Sequence, residues 1–229
     1  MMVSTALLSN AQMKGLKDEV RGMLENSSSM DVEKLIDLFS DMVKQYPDVP
    51  AGYNNLGAVK FKMQDYRGAL QELDRSLELS QLYPEAHYNR GLVKFRLNDF
   101  KGAAEDFEFV IEMNKKDADA LYNLALAKYY SGDKQGALRE LNHSLEASSD
   151  FEWAWCNRGF IKNEIGKTEE AVQDFTKAIS LNSKDGDYFF NRGQAYLKLG
   201  NSASACEDFR KAAESGNVHA PEWVKKSCK

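Results

Sequence analysis

Residues that interrupt regular structure are scarce in this chain. Its 229 residues include 4 prolines and 15 glycines, which argues against long disordered linkers. Basic excess is also lacking: 30 Lys and Arg stand against 35 Asp and Glu, a formal net charge of −5. That balance speaks against a nucleic-acid surface held by phosphate contacts. No apolar run approaches the ~20 residues that a membrane-spanning helix needs. The three histidines, His87, His143 and His219, are scattered without metal-ligand spacing. Neither a glycine-rich phosphate loop nor a nucleophile elbow is present. The expectation is therefore a chain without enzymatic activity, metal or cofactor. What remains, 43% hydrophobic and 28% charged, is ordinary for a soluble globular protein.

What the sequence has in place of motifs is repetition. "NRGLVKF" at 89–95 returns as "NRGFIKN" at 157–163 and "NRGQAYL" at 191–197, with looser copies at 55–61 and 123–129. The leading asparagines, Asn55, Asn89, Asn123, Asn157 and Asn191, are each 34 residues apart. A fixed period without insertions marks a quasi-one-dimensional repeat array. Units of 50–83, 84–117, 118–151, 152–185 and 186–219 follow. Each opens with a helix carrying a small residue in its eighth slot: Gly57, Gly91, Ala125, Gly159, Gly193. After a turn rich in Gly, Asp, Asn, Thr and Ser, a second helix carries Ala69, Ala103, Ala137, Ala171 and Ala205. Four residues on stand Leu73, Phe107, Leu141, Phe175 and Phe209, on the same helical face. One hairpin has too little core to stand alone, so neighbours must stack. "KDGD" at 184–187 reads as the turn between two units, since it lacks the remaining ligands of a calcium loop.

The five units covary internally. Arg90, Arg158 and Arg192 accompany Asp106-Phe107, Asp174-Phe175 and Asp208-Phe209, whereas Leu56 and Leu124 accompany Glu72-Leu73 and Glu140-Leu141. A partly buried Arg–Asp bridge between the two helices explains the pattern, as does duplication of two unit types. Lys60, Lys94, Lys128 and Lys162 form a column with acidic neighbours, which reads as a solvated or salt-bridged stripe.

These columns resemble the tetratricopeptide repeat family. "YNNLG", "YNRG" and "LYNLA" match the family's opening, and the Ala and Phe columns match its close. The family's closing proline is missing from all five units, and lysine replaces its tyrosine in four. The resemblance implies an all-α, right-handed superhelical solenoid of antiparallel helix pairs. Continuing the register backwards gives a degenerate unit at 16–49, with Leu35, Phe39, Met42 and Pro47 in family slots and a first helix near 10–25. At the other end, 220–229, with Pro221 near a helix start, is expected to form a capping helix.

By resemblance, first helices line a concave groove, and the function implied is non-catalytic binding of a protein or peptide. The groove slots hold Phe61, Tyr88, Phe95, Tyr122, Tyr129, Tyr130, Trp153, Phe160 and Phe190. Such side chains suit peptide capture, although several are also suited to packing between hairpins. The Asn55, Asn89, Asn123, Asn157 and Asn191 column offers acceptors and donors for a peptide backbone, as ladders in superhelical members of the family do. The carboxylate clamp of chaperone-binding members is absent: Ala51, Asn54, Glu85, Tyr88, Asp119, Tyr122, Trp153, Cys156, Asp187 and Phe190 fill its slots, and none is basic. Chaperone C-terminal tails are accordingly not the expected partner. The alternatives are an assembly subunit using the solenoid edges or convex face, and an accessory module of a separately encoded enzyme.

Compartment is read from two features. Residues 1–15 include "MMVSTALLSNAQ", a short apolar core that suits either the end of an export signal or a frayed helix. Cys206 lies ten residues before Gly216 and Cys228 nine after His219, about 15 Å and 13.5 Å of helix, so two antiparallel helices would bring the thiols level. A disulfide there would favour an oxidising compartment. Cys156 reads as an apolar filler. The C-terminal segment is also similar to the ends of some secreted or envelope-associated bacterial repeat proteins. Export is the expectation, with the cytoplasm as the alternative.

Overall fold

The five described turns inside hairpins share one left-handed residue. Gln64, Asn98, Gly132, Gly166 and Gly200, spaced by the repeat, all adopt a positive φ of 63–95°. The chain leaves the first helix through this left-handed residue. The second helix then starts on a side-chain cap: Asp65 accepts from Gly68 N, Asp99 from Gly102 N, Asp133 from Gly136 N and Asn201 from Ser204 N. Lys167 stands in the cap slot of the fourth unit and supplies no side-chain bond.

The computed structural model describes residues 29–228, with side chains from residue 32. The expected N-terminal segment 1–15 and the first helix of the 16–49 unit lie outside the described residues. Twelve helices and no strands are present among those described. They are α1 Ser29–Gln45, α2 Pro50–Lys62, α3 Tyr66–Leu79, α4 Pro84–Arg96, α5 Phe100–Met113, α6 Ala118–Tyr130, α7 Lys134–Ala147, α8 Glu152–Glu164, α9 Thr168–Leu181, α10 Gly186–Lys198, α11 Ser202–Glu214 and α12 Ala220–Ser227. Pro50, Pro84 and Pro221 stand in first turns, where a missing N–H costs nothing. No described helix is long and apolar enough to cross a membrane.

The chain divides into two compact units between Asp106 and Phe107, inside α5. In the first, α1 packs on α2, α2 pairs with α3, and α4 contacts both. Its core holds Phe39, Leu56 and Val59 in one cluster, and Ala69, Leu73, Leu77, Ala86 and Val93 in another. In the second, α6 pairs with α7, α8 with α9 and α10 with α11; α12 covers α11. Each hairpin is locked by its aromatic or leucine plug: Phe175 and Phe209 lie under Gly159 and Gly193, and Leu141 joins Ala125. This is the all-α solenoid architecture of stacked hairpins.

The covarying residues form two kinds of lock. In Arg units the guanidinium holds the aspartate with two hydrogen bonds, at 2.9 and 2.7 Å for both Arg90–Asp106 and Arg158–Asp174, and at 2.8 Å twice for Arg192–Asp208. Each arginine also reaches back to the preceding second helix, at Asp74, Asn142 and Thr176 respectively. In Leu units the glutamate pairs with the lysine column instead: Lys60–Glu72 at 2.6 Å and Lys128–Glu140 at 2.9 Å. There Ser76 and Ser144, fully buried, donate to the carbonyls of Pro50 and Ala118. Lys94 and Lys162 complete the column on Asp106 and Asp174, both at 2.8 Å. The lysines are salt-bridged across their own hairpins.

Candidate functional site

Helix periodicity places slots two, five, six, nine, twelve and thirteen of each first helix on neighbouring stripes. The asparagine column lies along this face and is engaged within the protein. Asn89 Nδ2 donates to Asn54 Oδ1 at 2.9 Å, Asn157 Nδ2 to the Tyr122 hydroxyl at 3.0 Å, and Asn191 Nδ2 points to Cys156 Sγ at 3.6 Å. Each partner stands 35 residues earlier, in slot five of the preceding hairpin. Asn157 also donates to Trp153 O at 3.0 Å, and Asn123 to Asp119 O at 2.9 Å. Asn55 is buried and accepts from Asn54 Nδ2 at 3.3 Å. These amides tie successive first helices together, a task that the column's spacing alone does not reveal.

The aromatic residues divide by environment. Tyr88 and Phe95 are half-buried, Phe95 with its ring 5.2 Å from Phe100. Tyr122 is half-buried and stacks on Phe151 at 4.9 Å; burial pushes its hydroxyl up to about 12. Phe190 corrects the groove expectation. It is only 9% exposed, sits 5.7 Å from Phe209 and 6.0 Å from Trp223, and forms the floor beneath α12. Its slot faces outward in a hairpin that has a free edge, and here the capping helix folds over that edge.

Water-facing aromatics are concentrated on α6 and α8. Trp153 is 54% exposed and Phe160 38%, seven residues apart on one stripe of α8. On α6, Tyr129 is half-buried and Tyr130 exposed. Tyr129 stands edge-to-face with both Tyr130, at 5.2 Å, and Phe160, at 6.1 Å. The Tyr129 hydroxyl donates to Glu164 Oε2 at 3.0 Å. Burial and that carboxylate push the hydroxyl up to about 12. Glu164 carries no sequence signal of its own: slot thirteen holds Lys62, Arg96, Tyr130, Glu164 and Lys198, basic in three units, and an acid stands there only once.

The thiols occupy two settings. Cys206 on α11 and Cys228 beyond α12 are joined in a disulfide, Cα to Cα 5.2 Å. Cys156 is free and buried, and burial pushes its thiol up to about 12, far from a reactive thiolate. Among the described residues no group of three or more His, Cys, Asp or Glu side chains is placed to hold a metal ion.

Comparison with known proteins agrees with this architecture. Family profiles described as TPR repeat match residues 57–98 and 161–200, and profiles described as tetratricopeptide repeat match 90–150 and 186–215. A search of curated protein sequences finds no match. Among solved structures, YrrB, described as a TPR protein with an unusual peptide-binding site, is 23% identical with a TM-score of 0.67, covering 82% of this chain and 97% of its own. A MamA fragment from Desulfovibrio magneticus RS-1 is 20% identical, TM-score 0.68, covering 72% and 94%. PilF of Pseudomonas aeruginosa is 18% identical, TM-score 0.66, covering 73% and 76%. At these identities the likeness is one of fold. Repeat period, stacked hairpins and profile matches together make the chain a member of the tetratricopeptide repeat family, a protein-interaction scaffold.

Proposed function

We propose that the chain is a non-catalytic peptide-binding scaffold, which holds an extended segment of a partner protein against the first-helix face of residues 107–229. The observation that carries this reading is Trp153 and Phe160, two large apolar side chains exposed on one stripe of α8. Aromatic surface of this kind contributes far more to binding than to the stability of the free fold. The likeness to YrrB, whose description names a peptide-binding site, supports the same reading.

The asparagines act here mainly as positioning residues. Asn157 holds the Tyr122 hydroxyl and its own helix, so the aromatic wall is ordered before a partner arrives. The assembly alternative loses one edge, because α12 covers Phe190, Phe209 and Ala212.

Selection from a displayed library of random peptides tests the proposal. The wild-type protein is expected to enrich a family of related sequences, and the Trp153→Ala/Phe160→Ala variant to lose that enrichment while keeping its helical circular dichroism and a cooperative melt. Wild-type protein that enriches nothing, or a variant that selects equally well, overturns it.

A further inference from the structure

We propose that this face carries a cation subsite, formed by Tyr129, Tyr130, Phe160 and Glu164, which takes a lysine or arginine side chain of the bound segment. The inference rests on the peptide-binding reading above and names the chemistry that the segment brings.

Three rings from two helices meet here nearly at right angles. Tyr129 is inclined 79° to Tyr130 and 77° to Phe160. Edge-to-face packing holds the rings apart, and ring surface of Tyr130, 57% exposed, and of Phe160, 38%, reaches solvent. Ring faces carry the negative part of the ring quadrupole, which attracts a cation within about 6 Å of a centroid. Glu164 follows Phe160 by one helical turn and sets a carboxylate beside them, fixed by the Tyr129 hydroxyl. Held well above its ordinary range, that hydroxyl stays a donor at neutral pH. Aromatic faces bordered by an anchored carboxylate match an ammonium or guanidinium group.

A cation of the protein itself already stands at the carboxylate. Lys134, the first residue of α7, rests its Nζ 3.3 Å from Glu164 Oε2. Both side chains are substantially solvent-exposed, at 43% and 32%, so this pair is weak and exchangeable. Lys198 also reaches α8, but its ammonium is held by Asn163 O at 2.5 Å.

The test takes peptides selected by the wild-type protein and measures their affinity by titration calorimetry. One position of the consensus is expected to be Lys or Arg. Replacing it with norleucine weakens binding about five- to tenfold. Glu164→Gln weakens binding of the basic peptide similarly and leaves the norleucine peptide almost unaffected, while Lys134→Ala tightens the basic peptide. A consensus without a basic position overturns the subsite and leaves the peptide-binding reading standing, as do norleucine and Glu164→Gln effects that simply add. A wild-type protein that selects no peptide overturns both.

Discussion

At the residue scale the molecule depends on a few buried carboxylates, each shared by cations from its own hairpin. Asp174 takes two hydrogen bonds from Arg158 and an ion pair from Lys162, with only 4% of its side chain exposed. Asp174→Ala strands those cations, and a loss of about 3 kcal/mol is expected in a urea titration. Asp106 is held by Arg90, Lys94 and His87. Burial alone would raise its carboxyl, but hydrogen bonds from these three outweigh burial and hold it below the ordinary range. A depressed folded pKa means that stability is complete above the unfolded value of about 3.9 and drains away as pH falls through the folded one. Asp106→Asn should therefore be less stable at pH 7 and show a shallower loss below about pH 4, read as melting temperature against pH. Close packing supplies another residue-level prediction. A Cβ on Gly193 would lie 2.8 Å from the Phe209 ring, so Gly193→Ala should cost roughly 1–3 kcal/mol.

At the element scale the hairpin turn and the terminal cap carry the decisions. Gln64 holds the same left-handed conformation that three other units assign to glycine, at φ 63°. A side chain there is strained by about 1–2 kcal/mol. Since glycine is entropically costly in the unfolded chain, Gln64→Gly should raise stability by only about 0.5–1 kcal/mol in thermal unfolding. The cap α12 has eight residues, too few for a self-sufficient helix, and is held by Trp223 against Phe209 and by the Cys206–Cys228 bond. That bond closes a loop of 22 residues, worth about 3 kcal/mol in chain entropy. Reduction, or Cys228→Ser, should speed amide exchange in α12 and α11.

At the scale of the whole molecule the contacts within each compact unit run from one hairpin to the next. Such an array has stability that sums over units and their interfaces, so damage stays local. The Cys228→Ser change should leave amide exchange in α2 and α3 unaltered; a uniform acceleration would show a single cooperative block instead. Within residues 107–229 the exposed aromatics are likewise localised, on α6 and α8, whereas Phe190, one hairpin further on, is covered by the cap. Binding and stability thus rest largely on different residues, which is why Trp153→Ala/Phe160→Ala can remove the one while the fold persists.

The sequence by itself determined whatever recurs at the repeat period. Five readings of one slot made the helices, the Ala–Gly–Phe packing column and the Arg–Asp locks legible, because their partners lie within one hairpin at a constant offset. Slot thirteen holds an acid in only one of the five units, so nothing marked Glu164 as the partner of Tyr129 on the preceding first helix. Phe190 was equally unreadable, since its burial depends on how the last eight-residue helix folds back. The asparagine column was visible as a column, but its bonds run to slot five of the preceding hairpin, where the partner is Asn54, Tyr122 or Cys156. Tertiary structure decided those contacts, because stacking brings together side chains whose identities vary from one hairpin to the next.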